Sequence, residues 1–138
     1  KERRMTANTT ETHPIYPQPA INVETQPFWD GAGKGKLLLK RCGDCDKTHY
    51  YPRNICPHCF SANTDWFEAS GRGRIYSFSV MRRAPVPYVI AFVTLAEGPS
   101  MMSNIVDCDF DAVAIDQEVK LTFRQAEGGI ALPVFTPA

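Results

Sequence analysis

The sequence predicts a mostly-β protein in which a short helix precedes a four-cysteine metal-binding ribbon and a small five-stranded barrel. Three observations lead to this prediction. Two Cys-x-x-Cys pairs lie close together in the first half, short alternating apolar patterns recur in the second half, and one segment with helix-forming signals precedes both. At 138 residues and 43% hydrophobic, the chain has room for one modest core, which a bound metal would help to hold together.

The charge balance excludes some functions. Fifteen basic and fifteen acidic side chains cancel, which leaves no overall field to attract nucleic acid or an anionic membrane. The longest apolar runs are only a few residues, so no membrane span is expected. Because the start of the chain also lacks the apolar stretch of a secretion signal, we expect a cytoplasmic protein.

The first segment, residues 1–21, is expected to be a disordered or extended arm, because it is rich in Thr, Pro and Asn and lacks apolar periodicity. Residues 1–4 precede Met5 and are expected to lie before the natural start. A short helix is predicted next, with Asn22 or Thr25 as its N-cap and Pro27 in its first turn. The Leu-rich residues 36–41 then predict a strand.

The strongest chemical signal is the pair of knuckle motifs formed by Cys42, Cys45, Cys56 and Cys59. Two residues between cysteines allow both thiolates to converge on one metal, and the ten residues between the pairs suit a hairpin that brings the knuckles together. Four thiolates favour zinc, with iron as the chemical alternative. Four protein ligands leave no open position, so the metal is predicted to be structural.

Other interpretations of the cysteines agree less well with the sequence. Disulfides need an oxidising compartment, for which the sequence gives no signal. A redox pair would not need a second Cys-x-x-Cys. His49 and His58 lie beside the knuckles and could replace a ligand, but a complete cysteine set makes this unnecessary. Cys108 stands alone and is predicted to be a half-buried strand thiol.

The second half predicts an OB-fold barrel. After a ribbon strand ending near Glu68, alternating patterns predict five strands, at residues 74–81, 88–95, 100–106, 119–124 and 130–135. Closure of five short strands into a barrel would remove exposed edges, and residues 107–117 would form its longer crossover. We therefore divide the chain into a helix-and-ribbon domain, residues 22–68, and an OB-fold domain, residues 69–138.

Charge also informs the possible partners of the barrel. Residues 68–138 carry six basic and eight acidic side chains, which disfavours single-stranded nucleic acid because its binding requires a positive track with stacking aromatics. A nucleic-acid-binding ribbon and barrel module is nevertheless kept as the alternative function, and rubredoxin-like electron transfer as another if the metal is iron. Arg82 and Arg83 could contact an anion such as a phosphate, or form a solvated loop tip.

The ordered combination of these motifs resembles a known family. The Pro27-Phe28-Trp29 helix, the two cysteine pairs, and the barrel segments at residues 73–78, 87–98 and 132–135 are similar to the zinc-ribbon and OB-fold family known as domain of unknown function 35 (DUF35). The likeness covers about residues 22–137, which is most of the chain. One departure is residues 116–119, where relatives often carry a Gly at the turn before the Val.

The resemblance implies a role as an accessory subunit. Members of this family bind thiolase-like enzymes or CoA-ester aldolases and hydratases and are thought to complete the partner's acyl-CoA site. The sequence shows no catalytic constellation of its own, so no catalytic residue is predicted. Arg82, Arg83 and Tyr88 are the predicted CoA contacts. Four aromatic residues are expected to form either the partner surface or a local core, namely Phe28, Trp29, Tyr50 and Tyr51.

Overall fold

The computed structural model describes residues 14–138, so residues 1–13, which make up most of the predicted arm, lie outside the described part of the chain. The elements follow the predicted order of helix, ribbon and barrel. In chain order they are α1 (Gln26–Gly33), β1 (Leu38–Cys42), β2 (Thr48–His49), β3 (Thr64–Glu68), β4 (Arg72–Met81), β5 (Tyr88–Leu95), β6 (Ser100–Ile105), β7 (Glu118–Gln125), a 3-10 turn (Glu127–Gly129) and β8 (Ala131–Pro137).

The described end of the arm packs on the barrel. Residues 14–21 form neither helix nor strand. The half-buried Tyr16 accepts a hydrogen bond at its carbonyl oxygen from the backbone N–H of Glu127, at 2.8 Å. This contact lays the chain across the connection between β7 and β8 before it reaches the helix.

Helix α1 begins with Thr25 at its N-cap position and Pro27 in its first turn, both as predicted. Thr25 precedes the helix and makes no side-chain cap bond. Instead, its hydroxyl accepts from the N–H of Asn22 at 3.0 Å, and the Asn22 side chain accepts from the N–H of Thr25 at 2.9 Å. The helix packs closely on the ribbon, because a Cβ at Gly31 would lie 2.7 Å from the Leu38 side chain.

The ribbon is a three-stranded antiparallel sheet in the order β2-β1-β3. Lys40 of β1 pairs with His49 of β2 on one side and with Trp66 of β3 on the other. The Lys40 ammonium lies 4.9 Å from the centre of the Trp66 ring and donates to the carbonyl oxygen of Arg53 at 3.1 Å. This placement explains how a lysine with only 6% of its surface exposed is tolerated in the sheet.

The second sheet is the predicted closed barrel, in the order β4-β5-β6-β8-β7. Neighbouring strands are antiparallel except β6 and β8, whose single recorded pair is parallel. Pairing of Gly73 with Val119 joins β4 to β7 and closes the barrel. The register shift between Ile75 and Ser77 marks a bulge at Tyr76. This five-strand closure is the OB-fold that the sequence predicts.

The connection between β6 and β7 is the longer crossover that the sequence predicts. Its Val113 side chain is buried. The turn before β7 contains Asp116 at a φ of +68°, a left-handed conformation that Gly adopts without cost and that Asp and Asn tolerate best among other residues. Asp116 can therefore occupy a turn position at which a Gly was expected from the family resemblance.

One buried cluster runs through both halves of the molecule. Phe28 of α1 and Leu37 and Leu39 of the ribbon belong to the same cluster as the barrel residues Ile75, Val89, Ala91, Val93, Leu95, Met101, Ile105, Val119 and Phe135. The backbone joins the halves too, since the N–H of Ala69 donates to the carbonyl oxygen of Leu37 at 2.8 Å. Between residues 14 and 138, every helical segment is too short or too polar to span a bilayer.

Candidate metal centre

The four knuckle cysteines meet at one point of the ribbon. Their sulfur atoms all lie within 4.8 Å of one another. Cys42 and Cys59 are 3.5 Å apart and Cys45 and Cys56 are 3.7 Å apart, measured between sulfurs. A tetrahedral metal with sulfur ligands at 2.3 Å requires sulfur–sulfur distances of about 3.8 Å. The donor set and its spacing therefore fit one four-coordinate metal.

The two knuckles have the same backbone geometry. In the first knuckle, the N–H of Cys42 donates to the carbonyl oxygen of Lys47, and the N–H of Asp46 donates to the carbonyl oxygen of Cys42. In the second knuckle, the N–H of Cys56 donates to the carbonyl oxygen of Ser61, and the N–H of Phe60 donates to the carbonyl oxygen of Cys56. Asp46 and Phe60 occupy equivalent positions, at φ values of +63° and +66°. The left-handed turn after each Cys-x-x-Cys directs the chain back past the sulfurs.

Backbone amides stabilise negative charge on two of the sulfurs. The N–H groups of Cys45 and Asp44 both point at the Cys42 sulfur from 3.4 Å. The amide of Cys45 is the largest influence that lowers the pKa of Cys42, to about 7. Burial opposes ionisation of Cys56, but the amides of Cys59 and His58, together with the neighbouring Cys45 and Cys59 thiols, lower its pKa. Thiolate formation, which metal binding requires, is thus favoured at Cys42 and Cys56 before a metal arrives, whereas the pKa values of the Cys45 and Cys59 thiols are raised.

Hydrogen bonds hold the knuckles together on their outer side. The carboxylate of Asp44 accepts from the hydroxyl of Ser61 and from the side-chain amide of Asn63. These two bonds lower the pKa of Asp44. The N–H of Gly43 donates to the carbonyl oxygen of Asn63 at 2.8 Å, and a Cβ at Gly43 would lie 2.6 Å from the Asn63 amide. Gly43 thus permits the close approach of the two motifs.

The two neighbouring histidines do not join the metal-donor cluster, which consists of cysteines alone in the described part of the chain. His58 is exposed. His49 is 6% exposed, and neither of its ring nitrogens has a hydrogen-bond partner among residues 14–138. Burial, followed by the charge of Lys40, lowers the pKa of His49.

The predicted CoA contacts are only partly brought together. Tyr88 lines a cavity of about 550 Å³ at one end of the barrel, but Arg82 and Arg83 do not. Arg82 forms an ion pair of 2.8 Å with Asp111. Arg83 is exposed and has no ion pair among residues 14–138.

Several residues of this cavity were missed by sequence reasoning, namely Tyr16, Asn104, Phe110 and Arg124. Tyr16 comes from the arm and Arg124 from β7, so nothing in the local pattern indicates that they meet. Cys108 lines the same cavity and is half-buried as predicted, but it lies in the loop after β6 instead of in a strand. Its sulfur donates to Ile105, and burial raises its pKa.

The four aromatic residues expected at the partner surface or in a local core are mostly core. Phe28 is 2% exposed, and Trp29 and Tyr50 pack edge-on against it with ring centres 4.9 and 5.8 Å away. Tyr51 is the exposed member, at 46%. Phe60, which follows the second knuckle, is more exposed than any of these four residues, at 78%.

Comparison with known proteins places both halves in one family. Residues 29–65 match the model described as "ChsH2, rubredoxin-like zinc ribbon domain", and residues 66–124 match "ChsH2, C-terminal OB-fold domain". A "DUF35 domain-containing scaffold protein" of Methanothermobacter thermautotrophicus is 38% identical over 64% of this chain and 72% of its own length. The chain belongs to the DUF35 family. The resemblance inferred from its motifs is thereby confirmed.

Two further relatives of this DUF35 chain are described as parts of CoA-linked or aldolase systems. A "probable enoyl-CoA hydratase alpha subunit" of Thermomonospora curvata is 36% identical over 94% of the chain, which spans 43% of that longer protein. The solved structure "Ltp2-ChsH2(DUF35) aldolase" contains a chain that is 35% identical, with a TM-score of 0.79 over 87% of this chain and 98% of the other.

Proposed function

We propose that this DUF35 chain is a non-catalytic accessory subunit that binds a CoA-ester aldolase, a hydratase or a thiolase-like enzyme and helps to form its acyl-CoA site. The similarity to the chain in the Ltp2-ChsH2 aldolase carries the proposal, because it extends over 98% of that chain at 35% identity. The metal centre supports a structural role, since four protein ligands leave no coordination position for a substrate.

The metal is proposed to be zinc. Four cysteine thiolates suit zinc or iron, and the zinc-ribbon family match favours zinc. Thiolate ligands also favour a reducing compartment, which supports a cytoplasmic location. Elemental analysis of the purified protein is expected to give one zinc per chain and no colour. A red protein with stoichiometric iron would contradict this part of the proposal.

The second knuckle is proposed as the partner surface. Ile55 and Phe60 flank it directly, and they are 47% and 78% exposed. Phe60 also keeps a left-handed backbone conformation, in which a bulky side chain is uncommon. An aromatic anchor beside an aliphatic one on a rigid metal-bound turn is typical of an interface centre, because little side-chain freedom is lost on binding.

The acyl-CoA contact is proposed at the barrel end that carries Tyr88 and its cavity. The cavity offers aromatic walls from Tyr16, Tyr88 and Phe110. Arg83 lies in the loop just before Tyr88 and has no ion pair within residues 14–138, so it is available for a CoA phosphate. Arg82 is less available, because Asp111 holds its guanidinium.

The test begins with affinity capture of the tagged chain from extract of its source, followed by co-expression with the enzyme that co-purifies. We expect a stoichiometric complex on gel filtration, with CoA-ester turnover that depends on this chain. The double variant Ile55→Ser, Phe60→Asn should lose co-elution, while Val23→Ser, which changes a residue 91% exposed, should keep it. Failure to find a CoA-ester enzyme, or equal binding by all variants, would refute the proposal.

A further inference from the structure

Two positive charges face each other across the seam that closes the barrel. Arg72 of β4 and Lys120 of β7 are direct strand partners, and both side chains are exposed. Neither forms an ion pair with a carboxylate of residues 14–138. Like charges directly opposite each other in a sheet are destabilising. An anion bound between them would remove this repulsion.

Beyond Gly73 and Val119, the third pair of the same seam combines opposite charges. Arg74 faces Glu118, and the two form an ion pair of 2.9 Å. The Arg74 guanidinium also donates to the backbone carbonyl oxygen of Asp116 at 3.1 Å. Glu118 therefore pairs with Arg74 and not with Arg72 or Lys120. The Arg74 guanidinium, held by Glu118, lies on the same seam as these two unpaired cations.

These cations line a cleft that also has an aromatic wall. The cleft has a volume of about 400 Å³, and Arg72, Arg74, Tyr76 and Lys120 are among its lining residues, with Glu118 and Asp116 at its acidic side. Tyr76 projects from the strand bulge with 68% of its surface exposed. An exposed aromatic side chain next to unpaired cations is suited to a ligand with a planar ring and a phosphate.

We propose that this cleft binds a phosphorylated nucleoside, with phosphate oxygens between Arg72 and Lys120 and the base against Tyr76. Arginine gives a phosphate two parallel hydrogen bonds and lysine adds a compact charge. The exposed ring of Tyr76 offers a face on which a base can stack. Arg72 and Tyr76 are separated by roughly 13 Å of strand, which suits a diphosphate better than a single phosphate.

This site is separate from the proposed acyl-CoA contact and does not depend on it. Arg72 begins β4, whereas Arg83 lies beyond its last residue, Met81. A ten-residue strand spans roughly 30 Å, so the two ends of β4 lie at different ends of the barrel. Single-stranded nucleic acid is a poorer candidate, since the barrel region carries more acidic than basic side chains.

Calorimetric titration with ADP, inorganic phosphate, adenosine and an oligo-dT tests the proposal. ADP should bind to the full-length protein more tightly than phosphate or adenosine. Arg72→Gln and Lys120→Gln should each weaken ADP binding at least tenfold, and Tyr76→Ser should weaken ADP binding but leave phosphate binding unchanged. The control Lys36→Gln, which removes an exposed positive charge from the ribbon end, should change nothing.

Thermal melting of the ligand-free variants is the second measurement. Because repulsion is removed, Arg72→Gln and Lys120→Gln should melt at or above the temperature of the unmodified protein, which shows that they fold. Absence of ADP binding, or loss of binding in Arg83→Gln but not in Arg72→Gln, would overturn the proposal. Tighter binding of oligo-dT than of ADP at the same residues would replace it with a nucleic-acid site.

Discussion

At the scale of single residues, Gly73 shows how little space the barrel seam leaves. It pairs with Val119 on one side and Leu95 on the other. A Cβ at this position would lie 2.7 Å from a Val93 methyl group and 2.8 Å from the carbonyl oxygen of Thr94. The second of these neighbours is backbone, so it cannot move without disturbing the pairing of β4 with β5.

We therefore expect Gly73→Ala to lower the free energy of unfolding by about 1–3 kcal/mol. The matched control is Gly33→Ala at the end of α1, where a Cβ meets nothing within 4 Å. That change should stabilise the protein by about 0.5–1 kcal/mol, because alanine favours the helix and restricts the unfolded chain. Urea unfolding of both variants provides the comparison. Equal effects at the two positions would show that the seam is not tightly packed.

Tyr50 provides a prediction about pH. Burial, with a smaller contribution from Tyr51, raises the pKa of Tyr50 to about 12. The pKa of Tyr50 in the folded protein exceeds the ordinary value of 10. The buried, neutral Tyr50 therefore contributes fully to the free energy of unfolding below pH 10, and this contribution is lost as the pH rises through 12. The expected loss is about 3 kcal/mol. Absorbance titration should show one tyrosine ionising near pH 12, and Tyr50→Phe should abolish that step while leaving the others.

Residue chemistry explains which site residues the sequence could and could not indicate. The four cysteines are identifiable because their spacing is itself the geometric requirement of a metal knuckle. Tyr16 and Arg124 are not, because they meet only after the arm crosses the barrel. The pairing of Arg72 with Lys120 likewise depends on the register of β4 and β7, which neither segment specifies by itself.

At the scale of elements, the two knuckles are short turns that a metal must hold, since few side chains are buried around them. Cys59 is the exposed member of the four ligands. Cys59→Ser should lower zinc affinity more than roughly a hundredfold, a larger loss than removal of an outer hydrogen-bond partner causes. Competition with a chromophoric chelator measures this affinity.

Cys108→Ser is the control for that experiment. Cys108 is a free, half-buried thiol in the loop after β6, outside the metal-donor cluster. Its replacement should leave the zinc affinity and the stoichiometry unchanged. If both serine variants retained zinc equally, the four-thiolate assignment would be wrong.

The elements themselves were largely predictable, and the differences have local causes. The alternating pattern of β5 gives its bounds, because one face of that strand is buried in the core and the other is not. The two-residue β2 has no pattern long enough to detect and depends on its pairing with β1. Thr25 occupies the predicted N-cap position, but its side chain and that of Asn22 bond to each other's backbone instead of to the first turn of α1.

At the scale of the whole molecule, the sequence separates a ribbon domain from a barrel domain, but the packing joins them. Phe28, Leu37 and Leu39 belong to the cluster that contains Val89 and Phe135 of the barrel. Sequence reasoning could not show this sharing, because it depends on how α1 lies against the barrel. The boundary after residue 68 remains a prediction about where the chain divides, and the core continues across it.

Removal of the metal is accordingly expected to weaken both halves. Chelation should unfold the ribbon, whose metal contributes on the order of 10 kcal/mol, and expose the apolar side chains that complete the shared cluster. Calorimetry should show one cooperative transition in the metal-bound protein and a lower melting temperature after chelation. Hydrogen exchange at Val89 and Val93 should accelerate in the chelated protein. An unchanged barrel after chelation would show that the halves are energetically independent.

The closure of the barrel through β4 and β7 also determines how the chain must fold. The partners Gly73 and Val119 are far apart in sequence, so a long loop must close before their pairing stabilises anything. Small barrels built from such distant pairings fold in milliseconds to seconds, far more slowly than a local turn forms. We expect the cysteine knuckles to capture their metal while the barrel strands are still unpaired, so the ribbon would form first and the β4–β7 seam last.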